Sequence, residues 1–447
     1  MEIKTKNSEY VIEKLADEEK LSPKYFLNQI TPYMKFLIHY NQDKLWEMDT
    51  KLLPKRLQKL RRNYKAFAEK HLKPNALEID VYKNKDILEK IKVEAAKAGY
   101  FSDLLPSPIG SVDWLTYRYP FHWIASIKYE ELCAACGGLG LLIGAHSLGV
   151  APIMVSGDIN IILRHLYPIL RKNKKGIPTL MAFAITEPAG GSDVEDTEGG
   201  TRYKPVTTAK RVKGGWLLNG RKVFISDGDI AHAVTVFAAL ENKALDSWTC
   251  FLVYDGTPGF SRGRNELKMG QRASSATELI FEDCFVPDSQ IVGGLEKGWM
   301  LNRLTLNYSR IPVGSIALGI ARGAMEHAIE FAKKTTFAGK KLIEYQEIQM
   351  QIADMLILTS ASRMMIWQYA KTWKAHQSWS SMIKVFCSDS AMKVCETAMD
   401  ILSNHSIYHK NYVEKHFRDA RLTQIYEGTN QINRLAIIED QMDELLK

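Results

Sequence analysis

The run AVTVFAAL at residues 233–240 decides how this chain is divided, because it is short, apolar and rich in β-branched and aromatic residues. WTCFLVYD (248–255) and ELIFEDCFVP (278–287) have the same character. Apolar runs of this length, bounded by turn residues, are typical of strands. Two glycine-containing pairs, Gly214–Gly215 and Asn219–Gly220, are predicted to form turns beside further strands. This part of the chain is therefore predicted to be all β.

Helical patterns lie on both sides of that segment. On its C-terminal side, apolar residues recur at steps of one and three, which predicts the buried face of a long helix. The stripe consists of Ile320, Ala321, Ala324, Met325, Ala328, Ile329 and Ala332. We predict a mostly α protein with a central β domain. Its four segments are an N-terminal helical extension at 1–55, an N-terminal α domain at 56–178, a middle β domain at 179–290 and a C-terminal helical bundle at 291–447.

Composition narrows the class of protein. The 447 residues are 46% hydrophobic and 25% charged, which excludes a disordered or collagen-like chain. The net charge of +8 is mildly basic, so it is compatible with an anionic ligand or with weak nucleic-acid affinity. The start, MEIKTKNSEY, has no apolar signal segment, and six cysteines are too few for a disulfide framework. We therefore expect a cytoplasmic location.

A CxxC pair, Cys133 and Cys136, lies in an uncharged stretch at 132–157 that is long enough to span a membrane. The pair suggests redox or metal chemistry, but a second pair is missing and the surroundings are rich in Ala and Gly, which favours buried packing. Pro152 and several small or polar residues make the stretch a poor membrane span. We predict two buried helices with a break near Gly149–Pro152, and no membrane association.

Two segments carry residues suited to chemistry. In MAFAITEPAGGSDVE (181–195) an apolar run ends in a Gly-rich turn whose backbone can approach a ligand closely, although an ordinary loop would have the same composition. In RDARLTQIYEGTNQINR (418–434), Glu427 follows an apolar pair and precedes Gly428. A carboxylate in such a place is either a desolvated base or a helix cap.

These segments together resemble a known family. TEPAGGSD and IYEGTNQINR resemble the two signatures of the acyl-CoA dehydrogenases. The segments at 67–80, 268–287 and 345–355 are also similar to that family, and the similarity runs in the family's order from about residue 56 to the C-terminus. The resemblance implies a helical–β–helical fold, an FAD cofactor held between the β domain and the C-terminal bundle, and an acyl-CoA substrate.

The resemblance also implies roles for individual residues. Glu427 matches the base that removes the α-proton of an acyl thioester while the β-hydrogen leaves as hydride to flavin N5, and its backbone N–H matches a donor to the thioester oxygen. The residues that match FAD-binding positions are Phe183, Ile185, Thr186, Phe224, Ser226, Thr429 and Gln431. The residues that match CoA-binding positions are Ser192, Asn307 and Arg310. The Arg310 guanidinium suits phosphate recognition.

Two stretches depart from the family pattern. Thr335 and Ala338 stand where the family has an arginine and an aromatic residue, and Ser403–Ser406 replaces a glycine-rich turn. Both elements normally hold the diphosphate and adenosine half of FAD. Losing the arginine removes a charge-assisted contact, so we expect weaker FAD retention than in members that keep it.

Partners and alternatives follow from the same resemblance. It implies an electron-transferring flavoprotein as acceptor and a homotetramer or homodimer; we expect no nucleic acid. The alternatives are an acyl-carrier-protein-linked enzyme, a decarboxylating enzyme, a DNA-associated flavoprotein of the same superfamily and a non-enzymatic scaffold. A decarboxylating enzyme would need a cation at the end of the acyl pocket, for which Arg118 and Lys128 are candidates. The basic stretch at 51–73 is compatible with DNA association.

Overall fold

The computed structural model describes residues 44–194 and 205–445. The chain divides into two compact units, Met1–Gln58 and Lys59–Lys447. Of the first unit the structure describes helix α1 (Leu45–Lys51) and the beginning of α2 (Lys55–Phe67). Most of the predicted N-terminal extension lies outside the described residues, and the four domain boundaries given above stay predictions.

Helices predominate in the described residues up to 174, apart from a non-helical stretch at 98–120. After α2 and a π-helical turn at Ala68–Leu72 come α3 (Ala76–Tyr82), α4 (Lys85–Lys97), α5 (Phe121–Ala135), α6 (Gly137–Ser156) and, after a second π-helical turn at Ile162–Leu166, α7 (Tyr167–Lys174). Helix α4 begins where the Asn84 side chain accepts hydrogen bonds from the backbone N–H groups of Asp86 and Ile87.

The predicted pair of buried helices is present, but the predicted position of the break is wrong. The chain breaks at Cys136, which has an extended backbone, and α6 then continues through Pro152 to a left-handed Gly157. Packing overrides the local signal of the proline. A Cβ at Gly149 would lie 2.6 Å from the Met181 carbonyl carbon, so the glycine lets α6 lie directly against the first strand.

Helix α6 is long and apolar enough to cross a membrane by length and composition, and 67% of its most apolar window is buried inside the fold. Cys133 and Cys136 are buried as free thiols. Burial raises the pKa of both thiols, which keeps them protonated. Within residues 44–194 and 205–445, no cluster of three or more His, Cys, Asp or Glu side chains is placed to hold a metal ion.

The middle of the chain is a mixed sheet. Its strands are β1 (Met181–Ala184), β2 (Thr208–Val212), β3 (Gly215–Ser226), β4 (Ala233–Leu240), β5 (Thr249–Tyr254), β6 (Phe260–Asn265), β7 (Ala276–Pro287) and β8 (Ile291–Val292). The order is β6-β7-β3-β2-β4-β5-β8, and β1 pairs in parallel with β4. The run at 233–240 forms β4, buried along its whole length.

The turn predicted at Asn219–Gly220 is absent, because both residues lie inside the continuous strand β3. The pairing of β3 with β7 shifts register between Leu218 and Gly220, which marks a bulge. Gly220 has φ +140°, and a Cβ there would lie 2.6 Å from the Cα of Thr207. The glycine therefore serves close packing within the sheet and not a chain reversal.

Helices return after the sheet and complete the predicted helical–β–helical architecture, which is confirmed. They are α8 (Gly298–Lys334), α9 (Gln346–Ala370), α10 (Gln377–Leu402), α11 (Val413–Thr423) and α12 (Asn430–Leu445), with a small hairpin of β9 (Thr336–Phe337) and β10 (Lys340–Lys341) between α8 and α9. The predicted stripe lies on α8, and all its members except Ile329 are fully buried.

A buried cluster of charges joins α5 to α8 and α9. Glu130 and Glu131 on α5 pair with Arg322 of α8 at 3.2 and 2.7 Å, and Glu130 also pairs with Arg363 of α9 at 2.8 Å. Arg61 completes the cluster at 2.7 Å from Glu131. Although burial disfavours the ionised form, the guanidinium groups hold the pKa of Glu130 well below its usual value. The cluster fixes the register of α5 beside α8, and these two helices border the cavity described next.

Candidate active site

A cavity of about 840 Å³ lies between the ends of β1 and β3, the helices α5, α6 and α8, and the loop between α11 and α12. The residues with sequence-predicted roles that line it are Phe183, Ile185, Thr186, Ser192, Phe224, Ser226, Glu427 and Thr429. The tertiary structure thus brings together residues separated by more than two hundred positions.

The backbone at Thr186 is fixed by a buried ion pair. Lys222 of β3 donates from Nζ to the Ile185 carbonyl at 2.7 Å and to Glu187 Oε1 at 2.9 Å. The Val223 N–H donates to the Thr186 carbonyl at 2.9 Å. Burial lowers the pKa of Lys222, while the Glu187 carboxylate opposes that shift. Thr186 is therefore held in place at the edge of the sheet by β3.

Phe224 and Ser226 reach the cavity through an irregularity in β3. The pairing with β7 shifts register again between Lys222 and Ile225, and Phe224 has φ +60°. A bulky residue rarely adopts this left-handed backbone. The conformation leaves the aromatic ring 59% exposed on the cavity wall. A flat aromatic face and the Ser226 hydroxyl therefore lie on the same wall.

A buried carboxyl group supports this wall. Asp227 follows Ser226, also has a left-handed backbone, and accepts a hydrogen bond from the Ser274 hydroxyl at 2.8 Å. Burial raises the pKa of Asp227 to about 7, the Ser274 hydrogen bond opposes this shift and the nearby Asp229 adds to it. A carboxyl group with a raised proton affinity therefore lies directly behind this wall.

On the opposite side of the cavity, two consecutive residues of α8 donate hydrogen bonds to Glu427. The Ser309 hydroxyl donates to Glu427 Oε2 at 2.7 Å, and Arg310 Nε donates to the Glu427 carbonyl at 3.3 Å. Glu427 itself has φ +57°. A left-handed glutamate is unfavourable on its own, so these contacts maintain a backbone that the local sequence does not favour.

The residues after Glu427 are held by α10. Lys384 is fully buried, and its Nζ donates to the Gly428 carbonyl and to Asn430 Oδ1, both at 2.7 Å. Asn433 Nδ2 adds a hydrogen bond to the Gly428 carbonyl at 2.9 Å. The Thr429 hydroxyl accepts from the Ile432 N–H at 3.3 Å and so caps α12. The loop is therefore anchored to α10 and α12 as well as to α8.

Three residues with sequence-predicted roles do not line the cavity. Gln431 is exposed on α12, and Asn307 is half-buried on α8. Arg310 is only 3% exposed, and its Nη1 donates to Ser381 at 3.2 Å in addition to the contact with Glu427. Ser192 does reach the cavity, where its hydroxyl accepts from the Thr429 N–H at 3.4 Å. Arg310 and Ser192 therefore both contact the loop at 427–429, Arg310 at Glu427 and Ser192 at Thr429.

Sequence reasoning missed the residues that position Glu427. Neither Ser309 nor Lys384 has a role predicted from the sequence. One signal was available: Ser381, Lys384 and Ser388 recur at helical spacing on α10 and form a polar stripe. A polar stripe on a bundle helix indicates either a solvated face or polar contacts inside the bundle, and sequence alone does not separate these two cases.

Three consecutive parts of the chain match known domains. Residues 54–172, 182–284 and 296–442 match the N-terminal, middle and C-terminal domains of acyl-CoA dehydrogenase. The chain belongs to the acyl-CoA dehydrogenase family. It is 32% identical over 396 residues to the mitochondrial short-chain specific acyl-CoA dehydrogenase of Mus musculus, covering 86% of this chain and 90% of the relative.

Solved structures agree with this assignment. Butyryl-CoA dehydrogenase from Megasphaera elsdenii is 29% identical with a TM-score of 0.77, and the match covers 92% of this chain and 100% of that one. A chain from a structure described as electron transferring flavoprotein of Acidaminococcus fermentans is 31% identical with the same TM-score, covering 88% and 99%. This acyl-CoA dehydrogenase homologue is accordingly a flavin-dependent oxidoreductase.

FAD is the cofactor of the family, and the β side of the cavity fits a flavin ring. The exposed face of Phe224 offers a stacking surface, and the hydroxyls of Thr186 and Ser226 offer hydrogen bonds to the polar edge of a ring. Thr335 lies at the C-terminal end of α8, and Ala338 lies in the exposed β9–β10 turn. That hairpin contributes no residue to the cavity wall.

The structure does not support the cations suggested for a decarboxylating enzyme. Lys128 is buried, and its Nζ pairs with Asp103 at 2.8 Å. Arg118 is exposed, and neither side chain lines the cavity. A substrate carboxylate in this cavity would therefore meet neither of the two candidates.

Proposed function

We propose that the chain catalyses the α,β-dehydrogenation of an acyl-CoA thioester to the trans-2-enoyl-CoA, with Glu427 as the base. The observation that carries the proposal is the placement of the Glu427 carboxylate across one cavity from Thr186, Phe224 and Ser226. A thioester lying between these walls would present its α- and β-carbons to the base and to a flavin ring on opposite sides.

The reaction removes two hydrogens in different forms. Glu427 accepts the α-proton, the electrons of that C–H bond form the new C=C bond, and the β-hydrogen departs with its electron pair. When bound, FAD supplies the acceptor for this hydride. The α-proton is a weak acid, so the base must be close and water must be excluded. The largely apolar wall of the cavity and the anchored Glu427 loop support both conditions.

The thioester oxygen needs a donor as negative charge develops on it. We assign this role to the backbone N–H of Glu427, as the family resemblance implies. Arg310 and Asn433 support the assignment indirectly, because each donates to the Glu427 carbonyl at 3.3 Å and so restricts the peptide that follows Glu427. The donor and the base would then belong to the same anchored residue.

The test is anaerobic flavin bleaching by a panel of acyl-CoA thioesters. Wild-type holoprotein should bleach rapidly with at least one thioester. Glu427→Gln keeps the size of the side chain but cannot accept the α-proton, so its bleaching should be slower by about 10²–10⁴-fold. The control is Glu266→Gln, which removes a carboxylate that pairs with Arg264 outside the cavity. Bleaching by the Glu427 variant within about threefold of wild type would contradict the proposal.

We also propose the partners that the family suggests. The electron acceptor would be an electron-transferring flavoprotein, and the assembly a homotetramer or homodimer located in the cytoplasm. Exposed apolar side chains on the C-terminal helices support self-association. They include Ile357 and Met364 on α9, Phe386 on α10, and Leu435 and Ile438 on α12. Light scattering of the holoprotein tests this, and a monomer at micromolar concentration would contradict it.

A further inference from the structure

The end of the cavity between α5 and α6 is polar, although most of the wall around it is apolar. Tyr129 of α5 donates a hydrogen bond to the Ser147 hydroxyl of α6 at 3.1 Å, and both residues line the cavity. Tyr129 is only 3% exposed. Their apolar neighbours in the wall include Ala125, Leu141, Leu148 and Ile316.

This pair lies far along α8 from Glu427. Ser309 marks the level of Glu427, which it contacts directly. Gly319 lies level with the backbone of Glu130, the residue after Tyr129, because a Cβ on Gly319 would lie 2.6 Å from the Glu130 carbonyl oxygen. The two α8 positions are separated by about ten residues, or about 15 Å of helix axis at 1.5 Å per residue. The hydroxyl pair therefore belongs to the compartment that would receive the distal part of the acyl group.

Gly144 determines how this compartment closes. A Cβ at Gly144 would lie 3.3 Å from Cε1 of the Tyr129 ring, so any larger residue would press on the ring. The glycine leaves room for the tyrosine ring, which forms part of the cavity wall. Ser147, about one helical turn further along α6, accepts the hydrogen bond of the tyrosine hydroxyl.

The end of the cavity between α5 and α6 is polar but carries no net charge. Lys128 Nζ lies 4.8 Å from the centre of the Tyr129 ring, but its charge is balanced by Asp103 at 2.8 Å. Burial raises the pKa of Tyr129, although the Lys128 ammonium opposes this shift, so the phenol stays protonated. A ligand carboxylate would lose its hydration here and meet only a lysine whose charge Asp103 already balances, which is costly. A hydroxyl or carbonyl group would instead find partners, because the bonded pair still has the Ser147 hydroxyl hydrogen and lone pairs on the Tyr129 oxygen.

We propose that Tyr129 and Ser147 form a neutral hydrogen-bonding subsite, which selects acyl thioesters that carry a hydroxyl or keto group near the distal end of the chain. The proposal rests on the proposed function, since it assigns the acyl compartment of the same cavity. A plain alkyl end would leave the remaining hydrogen-bonding capacity of the pair unused in an apolar environment. That loss lowers the affinity for a plain chain relative to a hydroxylated one.

The experiment compares CoA thioesters of equal chain length that end in methyl, hydroxyl or carboxylate. The length is varied across the series, and kcat/KM is measured by flavin bleaching. At the best length, the hydroxylated thioester should exceed the methyl one by about tenfold, the factor expected for one neutral hydrogen bond, and the carboxylate should be the poorest. Tyr129→Phe and Ser147→Ala should each bring the hydroxyl-to-methyl ratio close to one.

The control variant is Tyr254→Phe, which removes a tyrosine hydroxyl that contacts His165 outside the cavity. It should keep the wild-type ratio. A wild-type ratio near one at every length, or a preference for hydroxyl that persists in both Tyr129→Phe and Ser147→Ala, would overturn the proposal.

A second readout separates this inference from the proposed function. Calorimetric binding of the same thioesters to the Glu427→Gln holoprotein measures the preference without turnover, and the ratio of Kd values should again be about tenfold. If plain thioesters bleach the flavin but no preference appears in either assay, the subsite alone is disproved. If the binding preference is present while no thioester bleaches wild-type flavin, the proposed dehydrogenation is disproved and the subsite stands.

Discussion

The three segments that the family resemblance assigns to FAD differ in how they are held. The loop at 427–429 is fixed by side chains from α8, α10 and α12, including the fully buried Lys384. The β9–β10 turn at Ala338–Gly339 is exposed, and both of its residues have left-handed backbones. The turn at Ser403–His405 is also exposed. The loop at 427–429 is therefore held by several contacts within the chain, whereas the two turns are exposed to solvent.

The difference separates two requirements of a flavin enzyme. Chemistry needs a base and a ring-binding wall at fixed positions, and buried contacts within this chain hold both the proposed base, Glu427, and the proposed wall in place. Cofactor retention needs additional contacts to the diphosphate. In this chain, the residues that normally provide these contacts in the family are replaced by Thr335, Ala338 and Ser403–Ser406. We therefore expect mutations around the cavity to change rates or stability strongly and mutations in the hairpin to change mainly FAD dissociation.

The largest expected effect concerns the carboxyl group behind the flavin-side wall. Asp227 has a native pKa of about 7 against 3.8 for an ordinary aspartate. The native state therefore binds the proton more tightly, so this group's contribution to stability is full below about pH 4 and is lost as the pH rises to about 7. Asp227→Asn should raise the free energy of unfolding above pH 7 by up to about 4 kcal/mol.

Denaturant unfolding of the holoprotein at pH 5 and pH 8 measures this effect, and the gain should be larger at pH 8. Asp246→Asn is the control, because Asp246 is an exposed aspartate of the same β domain and does not contribute to the Asp227 shift. A gain of equal size at both pH values would show that the raised proton affinity of Asp227 is not its cause.

Substitution of Arg310 tests whether its guanidinium holds the Glu427 loop or contacts the CoA phosphates. In the structure it holds the Glu427 carbonyl at 3.3 Å and Ser381 at 3.2 Å. Arg310→Ala should therefore lower kcat by about ten- to a hundredfold, the equivalent of a charged hydrogen bond of roughly 1.5–3 kcal/mol, with a change in KM below about threefold.

If Arg310 instead contacts the CoA phosphates, as the sequence suggests, KM should rise by that factor and kcat should stay close to wild type. Arg310→Lys keeps the charge but not the planar geometry, so it should recover less than half of the lost rate in the first case.

Ser309 tests how much one hydrogen bond contributes to the anchored loop. Its hydroxyl lies 2.7 Å from Glu427 Oε2. Ser309→Ala should slow flavin reduction by about three- to tenfold, because the carboxylate loses one partner while the other anchors of the loop remain. Ser309→Thr retains the hydroxyl and should stay within about twofold of wild type. Stopped-flow bleaching measures both, and an unchanged rate in the alanine variant would show that Ser309 does not position the base.

The smallest effect is expected in the hairpin. Thr335→Arg restores the charge that the family pattern has at this position, and it should slow FAD dissociation by about two- to fivefold, the equivalent of a surface ion pair below about 1 kcal/mol. Thr336→Arg adds the same charge one residue away and should have less effect. Release is followed by flavin fluorescence after dilution. Wild-type protein that keeps all its FAD through prolonged dialysis at high salt would contradict the weak-retention hypothesis.

Some features of the fold could be predicted from the sequence because they depend on contiguous residues. The strand at 233–240, the α8 stripe and the segments that resemble the family signatures are local patterns, and backbone periodicity is enough to interpret them. Local signals failed where packing opposed them. Pro152 did not end α6, and Asn219–Gly220 did not form a turn, because each lies in an element whose conformation is maintained by contacts with distant parts of the chain.

The sequence by itself determined the architecture, the family and the residue types available for chemistry, since these depend on composition and spacing. Only the tertiary structure decided which residues meet. Ser309 and Glu427 are 118 positions apart, and Lys384 lies 44 positions from Gly428. Tyr129 and Ser147 belong to different helices. No local pattern specifies these contacts, because each depends on how the helices pack against one another.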